Sequence, residues 1–243
     1  MSNVIDFAHR RHTPTVLTSL THPAGVELPS DDQSCADLIH SEIRSAVCDG
    51  TYSADLIRRL PDVVRAGDRV LVIGAGLGIV STLVAKSERV NRVIAVEPNI
   101  SLIPYLNRVH ALNGVPWVET INAVVGIGSK GRVPFFARRD IRASSPVPHG
   151  SEWERAMMIP WMDLDLILTE ERISLIISEV PISLARLLKC MEHGSVERIL
   201  ASSNDDASEH WRKDAPAHLV ANFDQKPVSS IISNRNTIVS APA

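Results

Sequence analysis

The sequence predicts an α/β fold, a doubly wound and mostly parallel seven-stranded sheet that ends in an antiparallel hairpin. Strongly apolar segments of strand length alternate with segments whose apolar residues recur at helical spacing, which is typical of parallel strands covered by helices on both faces. Only residues 224–228 separate the last two extended segments, and parallel neighbours need a much longer crossover. That pair is therefore expected to be antiparallel. The expected strands are 69–73, 93–97, 117–125, 173–177, 196–201, 218–223 and 229–239.

The remaining segments predict one domain with an amino-terminal extension. Residues 1–30 carry several prolines and no clear periodicity, so they are expected to be irregular. Residues 31–243 are expected to form a single domain, with helices in an extension over 31–66 and a cofactor-binding core over 67–243. A further strand and a long loop are inserted around 131–160, and long loops in compact domains are often functional.

The composition is that of a globular protein with a small-molecule partner. The chain has 243 residues, 44% of them hydrophobic and 22% charged, which allows one sizeable core. A net charge of −3 provides no basic surface for nucleic acid or for an anionic membrane. We therefore expect a small-molecule partner, no nucleic acid and no membrane, while the oligomeric state stays open, a homodimer included.

Cysteine usage and local hydropathy indicate the cytoplasm. Cys35, Cys48 and Cys190 are scattered and form neither a CxxC pair nor a metal-ligand spacing with histidine, which suits reduced thiols and predicts no metal site. The amino terminus lacks the apolar stretch of a signal peptide, and no later run reaches membrane-spanning length. The protein is expected to be cytoplasmic.

A glycine-rich turn after the first central strand is the most informative local feature. The apolar run 70–73 leads into Gly74, Gly76 and Gly78, and glycines let a backbone turn tightly and approach a ligand closely. Glu97 ends the next apolar strand, 19 residues after Gly78, and an acidic residue near this distance accepts hydrogen bonds from a ribose. The combination predicts a nucleoside cofactor. The competing interpretation of Glu97 is a carboxylate that only caps the next helix.

The spacing of the glycines argues against a dinucleotide. The fingerprint G-x-G-x-x-G/A requires a small residue where this chain has Ile79, so the close helix packing of that motif is not expected. The final hairpin also differs from the pattern of NAD-dependent dehydrogenases. The G-x-G-x-G spacing instead resembles motif I of the class I S-adenosylmethionine-dependent methyltransferases, whose Rossmann-like sheet ends in a reversed strand.

Further motifs narrow the resemblance to the FkbM-type methyltransferases. The family segments V-x-x-x-E-P-N, A-L-N-G and I-N-A-A-V-G are similar to residues 93–99, 111–114 and 121–126, and they follow in the same order. Each match is weak by itself, but several weak matches in one order are specific. The other similar segments are 50–52, 67–70, 131–135, 143–145 and 158–166.

The resemblance implies S-adenosylmethionine as the cofactor and O-methylation of a small-molecule or glycan hydroxyl. Methyl transfer is an in-line displacement at an activated sulfonium, so the protein mainly aligns donor and acceptor, adds a base for a hydroxyl, and needs no metal. Glu179, after the fourth strand, is the candidate catalytic base or holds the amino-acid part of the cofactor; the competing interpretation is a carboxylate at a helix start. The expected cofactor-binding residues are Tyr52, Gly74, Ala75, Gly76, Gly78, Glu97, Pro98, Asn99, Asn122, Ala123 and Val124.

Some of these assignments have structural alternatives. Asn122, Ala123 and Val124 lie where the third strand would meet the adenine, although an asparagine at a strand edge often only forms a turn. Tyr52 would close over the methionine moiety, and its competing role is packing beside a helix.

Basic residues of the long loop are expected to be solvated. Arg138, Arg139, Arg142 and His149 lie beside the presumed acceptor site, where an acidic substrate is the less favoured explanation. His110 is expected on the surface. His193 is expected at the carboxyl end of a helix.

The chain departs from the family pattern at two places. The first motif of the family, D-V-G-A-N-x-G, has an acidic residue and an asparagine where this chain has Val72 and Gly76. Both glutamates of the family segment I-D-V-E-G-A-E are replaced, by Pro181 and Leu184. These departures motivate one alternative, an S-adenosylmethionine-binding protein with a degenerate catalytic site. An NAD(P)-dependent oxidoreductase is the less favoured alternative.

Overall fold

The computed structural model describes the central sheet and most of the elements around it. The expected strand 218–223 and the expected helix after Pro181 lie outside the described residues. The described residues are 20–30, 39–87, 90–128, 130–148, 150, 154–180, 194–201 and 230–233.

The described residues form strands, five α-helices and two short 3₁₀ turns. The strands are β1 (Leu20–His22), β2 (Val26–Leu28), β3 (Asp68–Ile73), β4 (Val90–Val96), β5 (Glu119–Ile121), β6 (Val124–Gly126), β7 (Arg132–Ala137), β8 (Arg155–Asp163), β9 (Leu175–Ser178), β10 (Arg198–Ala201) and β11 (Ser230–Ser233). The helices are α1 (Ser41–Cys48), α2 (Ala54–Val63), α3 (Ile79–Lys86), α4 (Ile103–Leu112) and α5 (Leu164–Glu171), and the 3₁₀ turns are Ile100–Leu102 and Ile141–Ala143.

The central sheet is mostly parallel, which confirms the predicted α/β class. Among the described residues its strand order is β11-β10-β9-β3-β4-β5, and β11 alone runs antiparallel to its neighbour, β10. Six of the seven expected strands are thus described. The seventh, 218–223, belongs to the part of the chain outside the description, so the hairpin that it would form with 229–239 stays a prediction.

Helices cover both faces of this sheet. Val70 and Val72 of β3 face α2 and α3 in one apolar cluster, while Leu71 and Ile73 face α5 in another, which includes Leu168. Alternate residues of a strand point to opposite faces, so a run of apolar residues fits a strand buried on both sides. The apolar run of β3 therefore accounts for its central place.

The prediction of one strand over 117–125 is wrong. Its first part, β5, belongs to the central sheet, whereas its second part, β6, pairs with β8 in a separate sheet. The chain changes sheet at Asn122, whose Nδ2 donates hydrogen bonds to the main-chain oxygens of Glu97 and Pro98, at 2.9 Å each. A side chain that bonds nearby main-chain groups competes with the strand ladder, and here it marks the break.

The insertion predicted around 131–160 is a three-stranded sheet with the order β6-β8-β7. Its apolar centre consists of Val124, Phe135 and Ile159. Gly126 lies so close to the Trp161 ring that a Cβ atom there would overlap the indole. The small sheet therefore has a packed centre of its own.

An antiparallel hairpin, β1–β2, precedes the helices. The prediction that residues 1–30 are irregular is wrong for 20–28, and residues 1–19 lie outside the description. The hairpin is fixed to the domain by Asn113, whose side chain exchanges two hydrogen bonds, of 2.9 and 2.7 Å, with the main chain of Glu27.

Buried charges at the amino end of the central sheet are paired with one another. Asp68, at the start of β3, and Arg198, at the start of β10, form an ion pair whose side chains are 4% and 2% exposed. Asp68 also accepts hydrogen bonds from the Ser174 hydroxyl, at 2.7 Å, and the Arg65 main-chain N–H, at 2.6 Å. Nearby arginines of β3 and β4 share the carboxylate of Glu171.

Candidate functional site

Two carboxylates lie on either side of the glycine turn, at the carboxyl ends of β4 and β9, the two strands that flank β3. Ile73 of β3 pairs with Val96 of β4 and with Ser178 of β9. Glu97 and Glu179 each follow one of these partners directly. Adjacent strands are about 4.8 Å apart, so the two acidic residues start about 10 Å apart across the turn. Ligands of open α/β sheets bind at this edge, at the carboxyl ends of the strands.

The turn itself depends on backbone conformations that favour glycine. Gly74, Gly76 and Gly78 have φ values of +73°, +52° and +80°. The main-chain N–H groups of Gly74 and Ala75 both donate to the carbonyl oxygen of Val96, at 2.8 and 3.0 Å, which anchors the turn to β4.

Close packing is a second reason for glycine at these positions. A Cβ atom on Gly74 would overlap the side chain of Val180, and one on Gly78 would lie 2.5 Å from Cδ1 of Leu106. The Tyr52 hydroxyl oxygen lies 2.8 Å from the position that a Cβ of Gly76 would take. Substitution by any larger residue would therefore displace neighbouring atoms as well as strain the backbone.

Glu97 holds the turn through both oxygens of its carboxylate. Oε2 accepts a hydrogen bond from the N–H of Gly76 at 2.9 Å, and Oε1 accepts one from the N–H of Asn99 at 2.7 Å. The residue is only 5% exposed, and burial raises the pKa of its carboxyl to about 7, although the two N–H donors act in the opposite direction. Each oxygen keeps a further lone pair, which a hydroxyl of a ribose can use.

Glu179 accepts a hydrogen bond from a residue 126 positions earlier in the chain. The Ser53 hydroxyl donates to its Oε2 at 2.8 Å, and Ser53 has a left-handed φ of +52° that directs it here. The other oxygen, Oε1, is buried and has no hydrogen-bond partner among the described residues. Burial raises the pKa of Glu179 to about 8; the Ser53 hydrogen bond lowers it and the charge of Glu97 raises it further.

Tyr52 covers the turn and is close to both carboxylates. It is 6% exposed and packs in an apolar cluster with the β1–β2 hairpin and α4. Burial is the main cause that raises the pKa of its hydroxyl, and the negative charges of Glu179 and Glu97 raise this pKa further. Tyr52 therefore packs in the apolar cluster and also lies where a ligand contact is expected.

The other expected cofactor-binding residues have structural partners. Asn99 caps the first 3₁₀ turn, because its side-chain oxygen accepts a hydrogen bond from the N–H of Ser101 at 3.1 Å. Ala75, Ala123 and Val124 pack in three different apolar clusters. The main chain of Pro98 and the side chain of Asn122 are bonded to each other. The structure thus brings Tyr52, Gly74, Gly76, Gly78, Glu97 and Glu179 together. The other expected residues have the structural partners given above.

His110 is buried, so the prediction that it lies on the surface is wrong. It is 1% exposed, and its Nε2 lies 2.9 Å from the Ser81 hydroxyl beneath the glycine turn. Burial lowers the pKa of the imidazole to about 4, so it is neutral near pH 7. The Ser81 hydroxyl also approaches the carbonyl oxygen of Gly78 at 3.2 Å, and the pair supports the turn from inside the domain.

Sequence analysis does not identify Ser53, Val180 or the Ser81–His110 pair. The partners of Ser53 and of Ser81 are distant in sequence, so no local spacing connects them. Serine is common at helix starts, and this local signal fits α2 after Ser53 but does not predict the contact with Glu179. The left-handed conformation of Ser53 has no signal in the residue type.

The arginines of the inserted loop differ in role. Arg138 forms an ion pair with Glu154 at 2.9 Å, with side chains 8% and 10% exposed, and it bonds main-chain oxygens of the loop. Arg138 therefore organises the loop, and the expectation that it is solvated is wrong. Arg142 forms two hydrogen bonds with Asp140, at 2.9 and 2.7 Å, and is close enough to Tyr52 to influence its pKa. His149 and His193 lie outside the described residues.

The described parts of the chain contain no group of three or more acidic, cysteine or histidine side chains able to hold a metal ion. Within those same parts, no helix combines the length and the apolar character that crossing a membrane requires.

Comparisons with known proteins give similarity to solved structures only. No protein-family model and no curated protein matches the sequence. One similar structure is a dimethyladenosine transferase from Plasmodium falciparum, at 14% identity over 68% of this chain and 44% of that one, with a TM-score of 0.39. Another is a precorrin-6y C5,15-methyltransferase from Geobacter metallireducens, at 12% identity over 79% and 80% of the two chains, with a TM-score of 0.42.

A third similar structure is M. capricolum TrmK in complex with its natural cofactor product, S-adenosylhomocysteine. The identity is 11%, the coverage 67% of this chain and 56% of that one, and the TM-score 0.40. This chain spans less than half of the Plasmodium protein and just over half of TrmK. At these identities the likeness concerns the fold alone.

Proposed function

We propose that the protein is an S-adenosylmethionine-dependent methyltransferase that methylates a hydroxyl of a small molecule or glycan. The observation that carries this proposal is the arrangement of Glu97 beside the glycine turn. The turn consists of glycines in left-handed conformations, and the buried carboxylate beside it keeps lone pairs that a ribose can use. Both features lie at the edge of the sheet where α/β folds bind nucleotides.

The residues present fit this cofactor. Glu97 would hold the ribose beside Gly76, where the hydroxyl of Tyr52 occupies the space that a side chain would take. Tyr52, buried over the turn, would exclude water from the methionine end. When bound, the cofactor supplies a methyl group activated by its positively charged sulfur.

Glu179 is the proposed proton acceptor. Its unpartnered Oε1 can accept the hydrogen of an acceptor hydroxyl, and its pKa of about 8 lies close to neutral pH, where general bases are most effective. Glu179 would take up the proton of the acceptor hydroxyl as that oxygen is methylated. The bound cofactor would supply the methyl group and leave as a neutral thioether, so the products would be a methyl ether, that thioether and a protonated carboxyl.

Calorimetric titration of the full chain with S-adenosylhomocysteine and with NAD(H) tests the cofactor. We expect heat of binding with the former and none with the latter, because Ile79 occupies the position at which a dinucleotide site needs a small residue. Tight binding of NAD(H) together with no binding of S-adenosylhomocysteine would overturn the proposal in favour of an oxidoreductase.

A cofactor-binding protein without turnover is the second candidate. It is favoured by the replacement of acidic residues at Pro181 and Leu184, and by Val180, which packs against Gly74. Transfer of radiolabelled methyl groups to a panel of hydroxylated small molecules and glycans separates the two candidates. Cofactor binding without transfer to any member of the panel would favour the second.

A further inference from the structure

We propose that Glu97 and Glu179 form a cation-selective subsite on the glycine turn, and that a positively charged ligand bound there displaces a proton from Glu179. The inference rests on the proposed function, since the cation is then the amino-acid end of S-adenosylmethionine, with its ammonium and sulfonium groups. It goes further by coupling cofactor binding to the protonation state of a residue in the site.

The first argument is the charge of the site. Within the described residues, no lysine, arginine or histidine forms an ion pair with Glu97 or Glu179, whereas the buried Asp68 has Arg198. Arg142 is the cation that acts on neighbouring Tyr52, but its guanidinium is engaged by Asp140 through two hydrogen bonds. Two carboxyl groups therefore face the same turn, and no cation pairs with either of them among the described residues.

The second argument is the state of the individual oxygens. Three of the four carboxylate oxygens accept hydrogen bonds, from Gly76, Asn99 and Ser53. The fourth, Oε1 of Glu179, is buried without a partner in the described part of the chain. An unpartnered buried oxygen is costly to desolvate, and a cationic donor beside it would remove that cost.

The third argument concerns protonation. The charged and titratable groups that face Glu179 are Glu97, at the end of β4, and Tyr52, before α2; Arg142, on the inserted loop, acts on Tyr52. With a pKa of about 8, Glu179 is mostly protonated at neutral pH in the free protein. A cation nearby stabilises the carboxylate and lowers this pKa, so binding expels the proton. The subsite thereby also prepares Glu179 to act as a base.

The test measures protons and affinity together. The full chain is titrated with S-adenosylmethionine between pH 6.5 and 8.5, in two buffers that differ in ionisation enthalpy, so that the heat reports proton release. We expect net release of a proton near pH 7, and an affinity that rises about tenfold across this range, because one unit of pKa shift corresponds to a factor of ten. Methylthioadenosine, which has the same nucleoside but no charged end, should bind without the proton release that belongs to Glu179, and its pH dependence should report Glu97 alone, whose pKa is about 7.

Two variants assign the proton to Glu179. Glu179→Gln cannot titrate, so S-adenosylmethionine binding to this variant should release fewer protons and show a smaller rise in affinity with pH than binding to the wild type. Ser53→Ala loses the hydrogen bond that lowers the pKa of Glu179 and should shift the rise in affinity to higher pH. The amino group of the ligand titrates identically in every variant, so differences between variants belong to the protein.

The outcomes separate this inference from the proposed function. Equal pH dependence of S-adenosylmethionine binding in the wild type and in Glu179→Gln would overturn the inference and leave the cofactor assignment intact. No binding of either S-adenosylmethionine or methylthioadenosine would overturn the proposed function itself. The proton count in the wild type keeps the test valid if one variant fails to fold.

Discussion

The two ends of the central sheet treat buried charge in opposite ways. At the amino end, Asp68 and Arg198 neutralise each other, and further hydrogen bonds satisfy the carboxylate. At the carboxyl end, Glu97 and Glu179 have like charge and no cationic partner among the described residues. The first end pairs its buried charges within the folded chain, although Nε and Nη1 of Arg198 have no hydrogen-bond partner among the described residues, whereas the second end has no cation to pair with in the same part of the chain.

This contrast separates the residues that hold the fold from those that serve a ligand. Removal of one partner from a buried ion pair leaves the other charge buried and uncompensated, so proteins with such a substitution are unstable. A buried carboxyl without a cation is held near its point of protonation, which is a property typical of binding and catalytic groups. Four substitutions test the contrast.

Asp68→Ala should cause the largest loss of stability. It leaves Arg198 charged, buried and without its partner, and removal of one partner from a buried pair costs about 3 to 5 kcal/mol. Denaturant unfolding of the two proteins measures this loss. Arg58→Ala is the matched control, since the Arg58–Asp55 pair is exposed and should contribute less than about 1 kcal/mol. Equal effects of the two substitutions would remove the basis of the comparison.

Gly78→Ala should destabilise the protein at the carboxyl end of the central sheet, because the added methyl group would crowd its neighbours and strain the backbone. Its Cβ would lie 2.5 Å from Leu106 at a φ of +80°, for which we expect a loss of about 2 to 4 kcal/mol. Gly114→Ala is the control, because Gly114 has a φ of +74° but no atom within 4 Å of the added methyl group. The difference in the free energy of unfolding between the two variants isolates the contact with Leu106, and no difference would show that the turn tolerates a side chain.

Glu97→Ala should weaken the binding of S-adenosylhomocysteine by about 1 to 3 kcal/mol, through loss of charge-assisted hydrogen bonds to the ribose. Calorimetry at constant pH measures the affinity. Glu119→Ala, which removes an exposed carboxylate paired with Arg92, should leave the affinity unchanged. If Glu97→Ala also bound S-adenosylhomocysteine as tightly as the wild type, the role of Glu97 would be limited to holding the glycine turn.

Glu179→Gln should change how stability depends on pH. The pKa of Glu179 is about 8 in the folded chain, above its ordinary value of 4.5, so between these values the folded state binds more protons than the unfolded state. Stability contributed by this group is therefore present at low pH and falls as pH rises through that window. The variant should gain on the order of 1 kcal/mol per pH unit relative to the wild type between pH 5 and pH 8. Unfolding profiles that run parallel across this range would contradict the expectation.

Much of the fold follows from the sequence because its signals are local. The apolar runs of β3, β4 and β9, and the glycines after β3, each specify an element within a few residues. The segment 117–125 is an exception, since its residue types are compatible with one strand and the choice between two sheets is made by Asn122 through bonds to Glu97 and Pro98. Such partners are brought together only by the fold.

The candidate site follows from the sequence in part, for the same reason. The spacing of the glycines and Glu97 indicates the turn and its carboxylate, which the structure brings together. The contact of Ser53 with Glu179 joins distant segments, and the burial of His110 depends on Ser81 beneath the turn. The sequence around His110 gives no local sign that its side chain is buried against the distant Ser81 hydroxyl.

The small three-stranded sheet has a consequence for insertions and deletions in this protein. The chain enters it at Asn122, held by two main-chain oxygens, and leaves it at Asp163, which caps α5 and accepts a hydrogen bond from Gly128 at 3.1 Å. The hydrogen-bond partners of both attachment points lie outside the segment between β7 and β8. Related chains can lengthen or shorten the segment between β7 and β8 without moving the glycine turn, so natural length variation is expected to concentrate there.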